Sequence, residues 1–260
     1  DTEPPTQWGD ALGVWQLVGT IQHPQGRSAD GYGYYFLNSD AARGEGDFGC
    51  DVRVPEDDEA RGEDAATFDV GPWAQFSGEM PNGSPWLFTL ERIESDGFTW
   101  YTPSSGNPTS IPPDSLLDFE SPGGADLPAI TMAQAMPSVE PFNISSPQLE
   151  PAQDILYVNA SVGLPFEWTA RGEEGVEIVF ALFSEDGQRS WVVDCWTEDD
   201  GFFEIGPDLL EGLPRDVTGL AWFRRYADAW HPETDEYPDT FMQGALQHRY
   251  FVSVYDETDG

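Results

Sequence analysis

The sequence predicts an all-β protein, and three observations carry that prediction. Short runs rich in Val, Ile, Phe, Trp and Tyr recur at roughly ten-residue spacing, the rhythm of sandwiches and barrels. Turn signals such as Asp96-Gly97 and Asp200-Gly201 separate them. No long window shows the 3.6-residue periodicity of an amphipathic helix.

Taken in order, residues 1–12 are polar and Pro-containing and read as an N-terminal arm. Residues 14–21 (VWQLVGTI), 31–37 (GYGYYFL) and 49–54 are strand-like, and 55–66 (PEDDEARGEDAA) is a solvated acidic loop. Strands are expected at 68–76, 86–93 and 97–101, then a Pro- and Gly-rich loop over 103–128. Pro137, Pro141, Pro147 and Pro151 mark an extended connector or a bulged edge strand. The second half gives strands at 155–160, 165–169, 175–184, 190–196, 202–205, 217–223 and 246–255, with one helical turn at 207–213. In 190–196, Trp191, Val193 and Cys195 share one face, and Val192, Asp194 and Trp196 the other. The expected layout is the arm (1–12), a β-rich domain with long acidic loops (13–150) and a β-sandwich domain (151–260). That is two immunoglobulin-like sandwich halves joined by a Pro-rich connector.

Charge narrows the function. The chain of 260 residues carries 48 Asp plus Glu against 11 Lys plus Arg, a net charge of −37. Nucleic acids and anionic membranes need a cationic face, so both are excluded as partners. No run approaches the roughly 20 apolar residues of a membrane helix. Every basic side chain is Arg, as in proteins adapted to salt or encoded by GC-rich genes. At about 0.1 M salt, charges within a Debye length of about 10 Å repel; at high salt they hardly do. Asp1 rather than Met fits a mature form whose leader has been removed, although an engineered start would look the same. Cys50 and Cys195 are either one long-range disulfide, suiting secretion, or two separate buried thiols. The expected location is secreted or at the cell surface.

The search for chemistry yields few candidates. With so many carboxylates, close acidic pairs carry no glycosidase signal. There is no G-x-S-x-G elbow, no Cys beside a His and no phosphate loop. His23, His231 and His248 match no zinc spacing. Calcium is the ion suited to the acidic turns, with Glu198, Asp199, Asp200, Glu233 and Asp235 as candidate ligands; solvated turns are the plainer reading. Trp100, Tyr101 and Trp222 are candidates for stacking on sugar rings, against the usual role of aromatic residues in core and cross-strand pairs. Arg224-Arg225 would pair with carboxylates across strands, or reach an acidic segment of a neighbouring subunit. Sequons stand at Asn82, Asn143 and Asn159.

Several short motifs together resemble a recurrent family. They are Phe166-Glu167-Trp168-Thr169, Cys195 followed by Asp199-Asp200-Gly201-Phe202, Leu209-Leu210 with Leu213-Pro214, and Arg224-Arg225. Weaker echoes are Cys50-Asp51-Val52 and Gly123-Gly124-Ala125. The chain resembles uncharacterised secreted or lipid-anchored β-sandwich proteins of myxobacteria. That resemblance implies an envelope or extracellular location and no known activity; the absence of Lys and the long acidic inserts depart from it.

The expected function is therefore non-catalytic: an extracellular structural or adhesive protein that self-associates through strand edges or the N-terminal arm. No cofactor is expected beyond a candidate calcium ion. The alternatives are a carbohydrate-binding module with polysaccharide as partner, which needs aromatic rings exposed on one face, and a secreted hydrolase, which needs a carboxylate-lined cleft.

Overall fold

The computed structural model describes residues 11–22, 27–37, 49–53, 67–95, 98–148, 155–171, 175–183, 190–211, 213, 215 and 217–255. Most of the expected N-terminal arm, His23, the acidic loop at 55–66, the Asp96-Gly97 turn and the last part of the connector lie outside these residues.

The fold is all-β. The first half supplies β1 (Ala11–Gln22), β2 (Arg27–Leu37), β3 (Gly49–Arg53), β4 (Thr67–Phe68), β5 (Trp73–Glu79), β6 (Pro85–Ser95), β7 (Phe98–Pro103), β8 (Leu116–Ser121), β9 (Ile130–Pro137) and β10 (Ile144–Ser146). The second half supplies β11 (Ile155–Asn159), β12 (Leu164–Trp168), β13 (Gly175–Phe183), β14 (Ser190–Glu198), β15 (Phe202–Ile205), the short helix α1 (Pro207–Glu211), β16 (Val217–His231) and β17 (Asp239–Tyr255).

A 14-stranded sheet follows the path β3-β14-β13-β16-β17-β1-β2-β7-β6-β5-β8-β9, with β11 added on β17 and β4 on β2. A second, 3-stranded sheet runs β10-β12-β15. The spine is the β16–β17 hairpin, in register from Val217 opposite Val254 to His231 opposite Thr240. Its length lets β17 serve two parallel neighbours. Residues from Asp239 to Arg249 pair with β1, and those from Phe251 to Tyr255 pair with β11.

Two cores form on one face of this spine. Alternation places Met242 with Trp15 and Leu17 in the first, and Tyr250, Val252 and Val254 in the second. The first core is built on Trp15, whose ring lies 4.7 Å from Phe119 and 5.4 Å from Tyr101. Here the sheet curls over itself until β9 returns to β17. At Gly244 an added Cβ would sit 1.9 Å from the Pro137 carbonyl oxygen, so only glycine permits that approach. The second core is sandwich-like. Leu164, Phe166 and Trp168 of β12 face Val176, Ile178, Ala221 and Phe223 of the large sheet, and Leu210 of α1 closes one end.

The expected division near residue 150 is crossed by three features. β3 pairs with β14, β1 pairs with β17, and Phe142 packs in the second core. The stretch expected to be a loop over 103–128 contains β8, and the Pro-spaced connector contains β9 and β10.

Candidate binding face

The spine face turned away from both cores is built by the other half of the alternation. On β16 it carries Leu220, Trp222, Arg224 and Tyr226; on β17, Ala245, Gln247, Arg249, Phe251 and Tyr255; on β11, Ile155 and Tyr157.

One row of directly opposed residues crosses five strands: Trp196, Glu177, Arg224, Gln247 and Thr20. Arg224 Nε and Nη2 donate to Gln247 Oε1 at 3.0 and 2.8 Å, and Nη1 donates to the Tyr226 hydroxyl at 2.7 Å. Arg224 also pairs with Glu177 at 3.2 Å, and Tyr226 donates its own proton to that carboxylate. Gln247 Nε2 continues the chain to Thr20 Oγ1 at 2.8 Å. Burial pushes the Tyr226 hydroxyl far above the ordinary tyrosine range; the Glu177 charge adds to this and the Arg224 charge opposes it. The Trp196 ring stacks on Tyr226 at 5.3 Å, so the row is a rigid, internally satisfied polar band.

Beside this band the face becomes apolar: Trp222 is half-buried, with the Arg224 guanidinium 5.7 Å from its ring centre, and the face opens further out at Phe251 and Tyr157. Trp222 stands opposite Arg249, and Arg249 stands opposite Gln22. In the next row outward, Leu220, Phe251 and Ile155 are in register. Phe251 is 50 % exposed and Tyr157 55 % exposed, and the Tyr157 and Tyr255 rings meet edge to face at 6.4 Å. Arg249 lies where β17 changes neighbour, at the last residue paired with β1 and two before the first pairs of β11 are complete.

The residues singled out from the sequence are distributed differently. Cys50 and Cys195 are directly opposed on β3 and β14 and joined as a disulfide, with Cα atoms 4.0 Å apart. Tyr101 is not a stacking platform: it is fully buried, accepting from the Val70 N–H at 3.0 Å and donating to the Gly71 carbonyl at 2.8 Å. Trp100 is half-buried on β7, its ring 6.0 Å from Phe98; three strands separate β7 from β16, so it does not join Trp222.

Asp199 is not an open calcium ligand. It is buried against Arg225, with Nε–Oδ2 at 2.8 Å and Nη2–Oδ1 at 3.0 Å, and accepts from Trp168 Nε1 at 2.6 Å. Its neighbours Glu198 and Asp200 are exposed, and Asp200 caps the turn by accepting from the Phe202 N–H at 3.1 Å. Glu233 and Asp235 belong to the β16–β17 turn, closed by the Glu233 N–H on Asp239 Oδ1 at 2.7 Å. Among the described residues no group of three or more His, Cys, Asp or Glu converges as metal ligands.

Arg224 and Arg225 are therefore committed to carboxylates of their own chain, Glu177 and Asp199, rather than offered to a neighbouring subunit. His231 and His248 contact the carbonyls of Ala135 at 2.6 Å and Phe142 at 3.1 Å. A cavity of about 80 Å³ between β1, β9 and β17 is lined by Leu17, Ile111, Leu117, Met136 and Leu246, with no carboxylate among the described residues of its wall.

The sequence reading passed over Arg249, Phe251 and Tyr157. The available signal was the run 249–255 (RYFVSVY), where the solvent-facing parity itself carries Arg, Phe and Tyr. Comparison of the chain with protein families, curated proteins and solved structures finds no match.

Proposed function

We propose that the chain is a non-catalytic, secreted or surface-located adhesive protein that engages extracellular material through the outer face of its long sheet. One observation carries this reading. Phe251 and Tyr157 are half-exposed on the same sheet face as the polar band, which ties β17, the strand of Phe251 and the neighbour of β11, to β16 and β1. Large apolar side chains left exposed on one face of a sheet suit a contact surface. The cross-strand disulfide suits an oxidising compartment, and the acidity suits one rich in salt. In this reading the second half is an immunoglobulin-like sandwich.

Self-association is the second form of the same reading. β3 ends the path of the large sheet with β14 as its partner among the described residues, which leaves an edge for strand addition.

The test is retention of the purified protein on a panel of insoluble polysaccharides, with particle mass measured by light scattering at high salt. Retention weakened in F251A/Y157A, without release of reducing sugar, supports adhesion. Large particles disrupted by changes in β3 support the subunit form. Sugar release would make the protein a hydrolase, and an unretained, inert monomer would overturn the proposal.

A further inference from the structure

Arg249 differs from the other arginines whose side chains are described. Arg92 pairs with Asp69 and Glu94, Arg171 with Asp114 and Glu140, Arg224 with Glu177, and Arg225 with Asp199. Arg215 is used on backbone carbonyls at the end of α1. Arg249 has no carboxylate partner among the described residues, in a chain with 48 Asp plus Glu against 11 basic residues. Its Nε donates to Gln22 Oε1 at 2.5 Å, and Gln22 Nε2 donates back to the Arg249 carbonyl at 3.2 Å. That clasp fixes the stem of the side chain, and among the described residues the outer edge of the guanidinium fork meets no further hydrogen-bond acceptor.

Aromatic residues flank this cation on the same sheet face. Trp222 is directly opposite on β16, and Phe251 is two residues further along β17. Tyr157 is on β11, opposite Ser253. From Trp222 to Phe251 is one strand across and two residues along, and from Phe251 to Tyr157 is the same step again. Each step is about 8 Å from strand spacing and rise. The three positions form a diagonal line long enough for a short oligosaccharide. The hydrogens on a sugar-ring face pack against aromatic rings, and a planar guanidinium grips a carboxylate through two parallel hydrogen bonds.

We propose that this face binds a polysaccharide that carries carboxylate groups, a polyuronate. Its sugar rings lie along Trp222, Phe251 and Tyr157, and a ring carboxylate pairs with the outer edge of Arg249. A local feature selects this occupant against the general charge: the −37 chain disfavours long polyanions such as nucleic acid, so the fit is to a short acidic segment seated on one guanidinium at screening salt. The rest of the chain repels anions, so a cation left without a carboxylate beside apolar rings is the local feature that distinguishes an acidic sugar from a neutral one. The inference rests on the adhesive reading above and names its ligand class.

The experiment is calorimetric titration, at about 0.5 M salt so that long-range repulsion is screened, with oligomers of polygalacturonate and of alginate. The methyl-esterified form of each serves as a neutral control on the same backbone. Binding to at least one polyuronate is expected, weakened about tenfold or more by esterification or by R249Q, with R249Q no longer distinguishing acid from ester. F251A/Y157A should lose both forms; these side chains are half-exposed, and an unchanged melting curve confirms the fold. Equal binding of acid and ester, an unaffected R249Q, or no binding of either polyuronate overturns the inference. If the protein is nevertheless retained on neutral polysaccharides through Phe251 and Tyr157, the adhesive reading stands without it. If it is retained on nothing, both fall.

Discussion

Asp199 and Arg225 form a two-point ion pair in which the side chains are 0 % and 2 % exposed. Asp199 sits in the turn after β14 and Arg225 on β16, and the pair gathers its surroundings. Trp168 donates to the carboxylate, Arg225 donates to the Thr169 carbonyl at 2.5 Å, and its guanidinium lies 4.4 Å from the centre of the Phe142 ring. It thereby ties both sheets of the second core together. Removing one partner leaves the other as an uncompensated buried charge, so D199N or R225M should each cost about 3–5 kcal/mol. D199L/R225M removes both charges and should lose less than either single change, although it leaves the Trp168 N–H without its acceptor. Denaturant unfolding of the three variants checks the order.

The disulfide pins the short edge strand β3 to β14 across 145 residues of sequence. In the chain-entropy account a loop of this length contributes about 5 kcal/mol by restricting the unfolded chain. Reduction, or C50A/C195A, should lower the melting temperature markedly. Amide hydrogen exchange should accelerate first at residues 49–53, because only one ladder then holds them. Unchanged exchange there would mean that β3 is fixed by its backbone pairing alone.

How far the fold was legible depended on whether alternation was clean. In 190–196 it was: Val193 and Cys195 are in the core, and Val192, Asp194 and Trp196 face outward. β8 alternates as well, with Leu117, Phe119 and Ser121 buried between exposed neighbours, but it is short and lies among Pro and Gly clusters that read as loop. Residues 68–76 look like one strand, yet Gly71 takes φ +113 and would place a Cβ 2.5 Å from the Gly123 carbonyl oxygen, so the chain turns there. β16 runs past its expected end at Phe223 because Arg225 occupies a core position and hides the period from any reading that expects charge outside. The binding face was illegible for a different reason. Cross-strand register, which the sequence does not state, brings Trp222, Arg249 and Gln22 into one row.

Acid should weaken the loop junction around Asp69. Burial alone would raise its carboxyl, but the N–H groups of Gly71 and Ala125 and the Arg92 guanidinium outweigh burial and hold it below the ordinary carboxylate range. Glu94, Asp126 and the Tyr101 hydroxyl complete the polar surroundings. A carboxylate with a depressed folded value stabilises the protein above its unfolded value, about 4, and that stability disappears as pH falls through the folded value. D69N should cost about 2 kcal/mol at neutral pH. It should also flatten the fall in stability below about pH 4. An acid-unfolding profile parallel to that of the wild type would place the titration elsewhere.

Base should unfold the protein through its tyrosines. Burial is the first cause raising Tyr101, Tyr226 and Tyr250 above the ordinary range; at Tyr101 the Val70 N–H and the Arg92 charge oppose it without cancelling it. A phenol whose folded value is raised contributes stability below its unfolded value, about 10, and loses it as pH rises beyond that. Spectrophotometric titration should therefore find these three silent until the fold opens, with unfolding beginning above about pH 10. Y250F removes a titrating group from the second core and should move that onset upward. Smooth ionisation of all nine tyrosines without unfolding would contradict the burial argument.

Salt acts on the whole molecule at once. A net charge of −37 is carried by 48 carboxylates against 11 basic groups, so most carboxylates have no cation to offset them. The described pairs consume arginines in local roles, at Asp69, Glu140, Glu177 and Asp199, and leave the general repulsion in place. That repulsion is long-ranged at low salt and is confined to a few Å near 1 M, whereas the buried Asp199–Arg225 pair is hardly screened. The melting temperature should rise steadily from low salt to about 0.5 M and then level off as the screening length falls below the carboxylate spacing. The rise should persist in D199L/R225M, because the lost pair is not its source. A melting temperature that stays flat across this range would mean that the unfolded chain is as strongly self-repelling as the native one, and that acidity marks the protein's surroundings rather than its stability.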